Sequence, residues 1–162
     1  MIAALPALIC GALLIGATIF EFGLDVAPCE LCTWQRWAHF AALMAALAAL
    51  AEMGRPRVHA VLLGVCALAL LAGAGIAGFH IGVEQHWWAG TDQCGDPLGA
   101  GGAAQSVGQL KARLMTAPVV RCDQVAWSLL GISLAGYNLL ISLPLGLGMA
   151  VASVRRLLGR EA

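Results

Sequence analysis

VHAVLLGVCALALLAGAGIAGF, residues 58–79, carries one acidic or basic side chain, His59, near its very start. A helix needs about 20 mostly apolar residues to cross the hydrocarbon core of a bilayer, so this run reads as a membrane span. Working outward, residues 3–20 and 125–154 carry no charge, and residues 37–51 have His39 as their one ionisable group. The 37–51 stretch reaches spanning length only with its polar flanks, from about Thr33 to Met53. The expected fold is an all-α membrane protein, a single 1–162 domain built as a four-transmembrane-helix bundle. Its helices are expected at about 3–22, 33–53, 58–80 and 124–150, with outer loops at 23–32 and 81–123.

The composition agrees. Hydrophobic residues make up 60% of the chain and charged ones 11%, well below the roughly 25% charge of a soluble domain. Nine basic residues balance nine acidic ones with no basic block, so no nucleic-acid partner is expected. The first apolar segment lacks the basic n-region and small-residue cleavage site of a signal peptide and is expected to remain as a helix. Arg55 and Arg57 lie in the short 52–57 loop, and Arg155, Arg156 and Arg160 in the C-terminal tail. The 21–32 loop holds Glu21, Asp25 and Glu30 and no Lys or Arg. The positive-inside rule then puts both termini and the 52–57 loop in the cytoplasm, and the 23–32 and 81–123 loops outside.

Three further patterns concern architecture. Ser106-Val107-Gly108-Gln109 has the form of a capping box. Val107, Leu110, Leu114 and Met115 follow at helical spacing, which predicts a short amphipathic helix on the membrane surface, ended before Pro118. Trp34, Trp37, Trp87, Trp88 and Trp127 fall near the outer helix ends, as interfacial anchors do. Gly73, Gly75 and Gly78 on the third helix permit close helix approach.

The chemistry is carried by cysteine. Cys29 and Cys32 lie at the mouth of the second helix, in Pro28-Cys29-Glu30-Leu31-Cys32-Thr33-Trp34-Gln35-Arg36, and Cys94 and Cys122 lie in the second outer loop. All four therefore face the compartment in which disulfides persist. Cys10 and Cys66 fall mid-helix and read as small inert hydrophobes. A Cys-x-x-Cys pair at a helix N-terminus can close a small disulfide, and the helix end lowers the pKa of one thiol. Cys32 is the sulfur nearer the helix. Arg36 follows it at i+4, placed to stabilise a Cys32 thiolate or the oxygens of a bound aromatic acceptor. Snorkelling of Arg36 to headgroups is the alternative.

Cys94 and Cys122, 28 positions apart, read as a disulfide that a partner opens, or as a static staple. A four-cysteine zinc site would need a second close knuckle, and only one close pair exists. His80, with Glu84 at i+4, ends the third helix where it can hydrogen-bond an acceptor near Arg36. A pair of histidines could also ligate haem, but nothing in the sequence fixes that geometry.

Pro-Cys-x-Leu-Cys-x-x-Gln-Arg in the first outer loop resembles the signature of the DsbB family of bacterial disulfide-forming membrane proteins. The likeness extends over the four expected helices, the second cysteine pair, the His80–Glu84 segment, and Arg121-Cys122-Asp123 leading to Trp127. The 95–120 stretch is shorter and richer in glycine than that family's loop. The resemblance implies a thiol:quinone oxidoreductase of the bacterial inner membrane that reoxidises a periplasmic DsbA-type thioredoxin-fold oxidase and reduces membrane quinone, ubiquinone or menaquinone, without a metal. It implies that Cys94 forms the mixed disulfide with the partner, that Cys122 pairs with Cys94, and that Cys29 exchanges with that pair. It implies further that Cys32 contacts quinone, with Arg36 and His80 at the quinone oxygens. A vitamin-K-epoxide-reductase-like enzyme would carry its active Cys-x-x-Cys late in the chain, against the order seen here. A tetraspan scaffold stapled by inert loop disulfides and a metal-handling membrane protein are the other rivals.

Overall fold

The computed structural model describes residues 2–91, 108 and 121–160. Among these residues the chain forms four long helices, α1 (Ala4–Gly23), α2 (Glu30–Ala51), α3 (Pro56–Glu84) and α4 (Leu134–Leu157). A two-stranded hairpin, β1 (Ser128–Leu129) and β2 (Ile132–Ser133), precedes α4. Cys94 and the expected amphipathic helix after Ser106, Gly108 apart, lie outside the described residues.

α3 is the central element, packed on α2 along one side and α4 along the other, while α1 leans on α2. Its composition explains the position. The core is made of small side chains (Ala42, Ala45, Ala46 and Ala49 of α2, Cys66 and Ala67 of α3, Ala152 of α4) with Leu63, Leu70, Leu145 and Met149 filling between them. Cys10 and Cys66 are fully buried in this core, as their mid-helix positions lead one to expect. Gly73 lies so close to α2 that a Cβ there would sit 3.1 Å from the Cβ of Ala38. No atom comes within 4 Å of that point at Gly75 or Gly78, so one glycine of the three makes the close approach. At the other end, His59 is buried and donates through Nδ1 to the Ala49 carbonyl at 2.7 Å. Ser153 of α4 donates to the Ala60 carbonyl at 2.8 Å.

Large apolar side chains point outward instead. Leu8 is 73% exposed, Leu68 71% and Trp37 66%, and exposed Leu, Ile, Val, Phe and Met cover the outside of all four helices. Small residues inside and bulky apolar ones outside is the arrangement that lipid, and not water, accepts. α1, α3 and α4 are long and apolar enough to cross a membrane. α2 is long enough, but its N-terminal half carries Glu30, Thr33, Gln35, Arg36 and His39.

The fourth helix departs from expectation. The uncharged run from 125 predicted helix from about 124 to 150, whereas α4 starts at Leu134 and continues to Leu157. Absence of charge does not distinguish a helix from a hairpin. Leu130 (φ 52°) and Gly131 (φ 79°) both adopt positive φ, as a two-residue hairpin turn requires, and pair Ser128 with Ser133 and Leu129 with Ile132. Ser133 then caps α4 by accepting the Gly136 N–H at 3.1 Å.

The α2–α3 contact yields a prediction. Gly73→Leu should destabilise the bundle by about 1–3 kcal/mol, the usual cost of overpacking, whereas Gly75→Leu should be close to neutral. Thermal unfolding of both variants in detergent micelles checks the difference.

Candidate active site

At the end of the bundle where α2 begins and α3 ends, the helices surround a cavity of about 240 Å³. Its walls are apolar side chains of α1 (Leu13, Phe20), Trp127 from the segment before the hairpin, and Leu134 and Ala135 of α4. Its polar lining consists of Cys29, Cys32, Gln35, Arg36, His39, His80, Glu84, Arg121, Gln124, Tyr137 and Asn138. Trp127 packs edge-on against Phe20 at 5.1 Å between ring centroids, so this tryptophan closes the cavity wall.

Cys29 is the N-cap of α2. Its sulfur accepts the backbone N–H of Cys32 at 3.3 Å, the bond an N-cap side chain makes to the third helical residue. The two thiols are free and their sulfurs stand 3.0 Å apart. His80 Nε2 lies 3.7 Å from Cys29 Sγ and 3.9 Å from Glu84 Oε1, and Ser133 Oγ donates to the other oxygen of Glu84 at 2.6 Å. Cys122 is disulfide-bonded and fully buried, packed with Cys29, Leu31 and Val83 in one cluster that Cys32 borders. Its backbone hydrogen-bonds the His80 ring, and Arg121 and Asp123 beside it form an ion pair at 2.5 Å. Cys122, far in sequence from Cys29 and Cys32, thus shares their site.

Arg36 ion-pairs with Glu21 and donates to the Ala17 carbonyl of α1 at 3.1 Å, and its charge also bears on Cys32. At the end of α2 the Cys29 thiol is pushed down, contact with the Cys32 side chain being the largest cause. Burial opposes it, and His80 and the Cys32 N–H add to it. The capping position, three residues before Cys32, is the sequence signal that identifies the accepting sulfur.

The sequence also left unread a buried polar chain. Gln35 Nε2 meets His80 Nδ1 at 3.1 Å, and Asn138 Nδ2 donates to Gln35 Oε1 at 2.5 Å. Ser142 Oγ and His39 Nε2 each reach Asn138 Oδ1 at 2.7 Å. His39 Nδ1 has no hydrogen-bond partner among the described residues. The available signal was two i,i+4 polar pairs, Gln35/His39 and Asn138/Ser142, in otherwise apolar helices.

The family model for disulfide bond formation protein DsbB matches residues 1–152. The chain belongs to the DsbB family. Neither a curated protein nor a solved structure matches it. As a DsbB-family member the protein is a helical membrane oxidoreductase of disulfide bond formation, and the free Cys29–Cys32 dithiol beside a bonded cysteine is the part of the site suited to thiol–disulfide exchange. Donor atoms of Cys29, Cys32 and His80 all lie within 4.8 Å of one another, close enough to share a thiophilic ion.

A thiol whose pKa is lowered is thiolate above the lowered value, so Cys29 should stay reactive below the pH at which ordinary cysteines fall silent. In the reduced protein, alkylation of Cys29 by iodoacetamide is expected to stay nearly flat from about pH 8 to about pH 6. A rate dropping about tenfold per unit from pH 8 downward would contradict the assignment. Mass spectrometry of the Cys29 and Cys32 peptides reads it.

Proposed function

We propose that this DsbB-family protein is a thiol:quinone oxidoreductase that reoxidises a DsbA-type periplasmic oxidase and passes the electrons to membrane quinone. The observation that carries the reading is the juxtaposition of the free Cys29–Cys32 pair with disulfide-bonded Cys122, on the wall of an apolar cavity open to a ring-shaped ligand. In this reading all four long helices span the membrane. α2 has the exposed apolar face for it (Trp34, Trp37, Phe40, Met44, Leu47), and its polar outer half is turned to use at the site. The termini are cytoplasmic and the cysteines periplasmic.

Cys94 takes the mixed disulfide with the partner, and Cys122 is its resolving mate. Exchange between the two pairs then runs through Cys29 and Cys122. Once the partner has taken the Cys94–Cys122 disulfide, the Cys122 thiolate attacks Cys29 of an oxidised Cys29–Cys32 pair, forming the Cys29–Cys122 bond and releasing Cys32 as thiolate. The Cys94 thiolate then attacks Cys122, restoring the Cys94–Cys122 disulfide and releasing Cys29, so that two electrons pass from the loop pair to Cys29 and Cys32. Because exchange is reversible, net flux needs a drain. DsbA-type oxidants sit near about −120 mV, more oxidising than most protein dithiols.

The residues fit quinone. Leu13, Phe20 and Trp127 offer an apolar slot, Cys32 opens onto it, and Arg36 and His39 supply polar contacts, His39 with an unpartnered buried nitrogen. Quinone, when bound, takes up two electrons and two protons. Cys32 is the sulfur that faces it, and Arg36 would hold one of its oxygens with guanidinium N–H groups beyond those given to Glu21 and Ala17. His80 holds charge on Cys29 while Cys32 works, and the apolar walls exclude water from the thiols.

Stopped-flow oxidation of a reduced DsbA-type partner by the purified protein tests this. Turnover should require added quinone and vanish in Cys32→Ser. Arg36→Ala should raise the quinone concentration for half-maximal rate by about tenfold or more, as loss of a charge-assisted hydrogen bond does, while Cys94→Ser should leave quinone binding unchanged. Disulfides that stay closed whatever thiol or quinone is supplied would mean a stapled scaffold instead.

A further inference from the structure

Packing of α2 on α3 brings two thiols and an imidazole to one point. The sulfurs of Cys29 and Cys32 stand 3.0 Å apart, His80 Nε2 is 3.7 Å from Cys29 Sγ, and the three donor atoms lie within 4.8 Å of one another. No other three His, Cys, Asp or Glu side chains converge this way among the described residues. Zinc holds thiolate sulfur at about 2.3 Å and imidazole nitrogen at about 2.0–2.1 Å in a tetrahedron, which spaces two sulfurs by about 3.8 Å and sulfur from nitrogen by about 3.5 Å. The His80–Cys29 separation already fits. The two sulfurs need to part by less than about 1 Å from their present 3.0 Å.

The surroundings suit an ion. Cys29 and His80 are buried, and uncompensated charge is costly there. Two thiolates, a neutral imidazole and a divalent cation sum to zero charge, whereas the two thiolates alone carry two negative charges. The side-chain amide of Gln35 stands 3.1 Å from His80 Nδ1, so the second ring nitrogen has the hydrogen-bond partner that orients a ligating imidazole. Cys29, Cys32 and His80 all line the cavity, which leaves a fourth coordination position open to water. Two soft thiolates select zinc and its heavier congener cadmium over magnesium or calcium. In a closed disulfide the same sulfurs are about 2.05 Å apart and carry no charge to offer, so the donor set exists in one redox state only.

We propose that Cys29, Cys32 and His80 form a regulatory site for a thiophilic divalent cation of the zinc class, assembled when the pair is reduced and lost when it is oxidised. Binding makes two sulfur–metal bonds and one nitrogen–metal bond, releases the protons that the two thiols hold to solvent, and changes no oxidation state. With both sulfurs held by the ion, neither attacks a disulfide or gives up electrons, and the pair stays reduced. The inhibitory consequence rests on the exchange proposed above; the binding does not.

The test uses untagged full-length protein in detergent micelles, reduced, freed of reductant under argon, loaded with ZnCl₂ and gel-filtered. X-ray absorption at the zinc edge should show two sulfurs at about 2.3 Å and nitrogen at about 2.0–2.1 Å. The oxidised protein should retain no zinc. Zinc should also protect Cys29 and Cys32 from alkylation, with EDTA restoring both. His80→Gln should weaken zinc binding by about tenfold or more, because loss of even an outer-shell partner costs about 10–100-fold. A reduced protein that retains no zinc overturns the proposal, as does a four-sulfur shell, which would put the ion on the loop cysteines as well. Neither of these outcomes needs a variant to fold. Unchanged affinity in a folded His80→Gln protein would reduce the site to a bare dithiol and overturn it too. No readout uses quinone or a partner protein, so failure here leaves the turnover result standing, and loss of turnover leaves the zinc result standing.

Discussion

Cys29 Sγ, at the junction of α2 with α3, is where the polar interior of this bundle ends. A buried polar group left without a partner costs about 1–3 kcal/mol. Gln35, His80, Asn138 and Ser142 bond to one another and to His39 in series. A sulfur at a helix N-cap suits the end of such a series, because the helix end already favours negative charge there. The capping of α2 and the contact of His80 with Cys29 are two aspects of one arrangement.

That arrangement depends on close helix approach. Side chains as short as Asn138 and Gln35 meet only if α2 and α4 both lie near α3, and the alanine-rich core allows it. Gly73, nearly in van der Waals contact with Ala38, sits two turns of α3 before His80 and fixes the distance between α2 and α3 where the chain crosses. The bulky residues have gone to the outside, where lipid receives them. The same segregation that makes this a membrane protein makes its interior tight enough to orient amides.

The sequence was informative where function rests on local spacing. Residues 58–79 announce a membrane span, Cys29-x-x-Cys32 a dithiol, and His80 with Glu84 a polar helix end, and the structure has each in place. It was uninformative where function rests on contacts between distant segments. Gln35 and Asn138 are 103 residues apart, and nothing in either neighbourhood names the other. The start of α4 was misread because charge alone was counted, and Ser128, Gly131 and Ser133 make a hairpin and a cap out of an uncharged run. The pairing of Arg36 with Glu21, on another helix, is invisible in its spacing to Cys32.

The Arg36–Glu21 pair and the His80 chain divide the electrostatic work of the cavity between them. Paired with Glu21 and the Ala17 carbonyl, Arg36 stands on the α1 side of the cavity, where its charge bears on Cys32. His80 and the Cys32 backbone N–H meet Cys29 instead. Exchange chemistry and acceptor chemistry need different properties from adjacent sulfurs. A charged group on one side and directional hydrogen bonds on the other let two cysteines three residues apart differ.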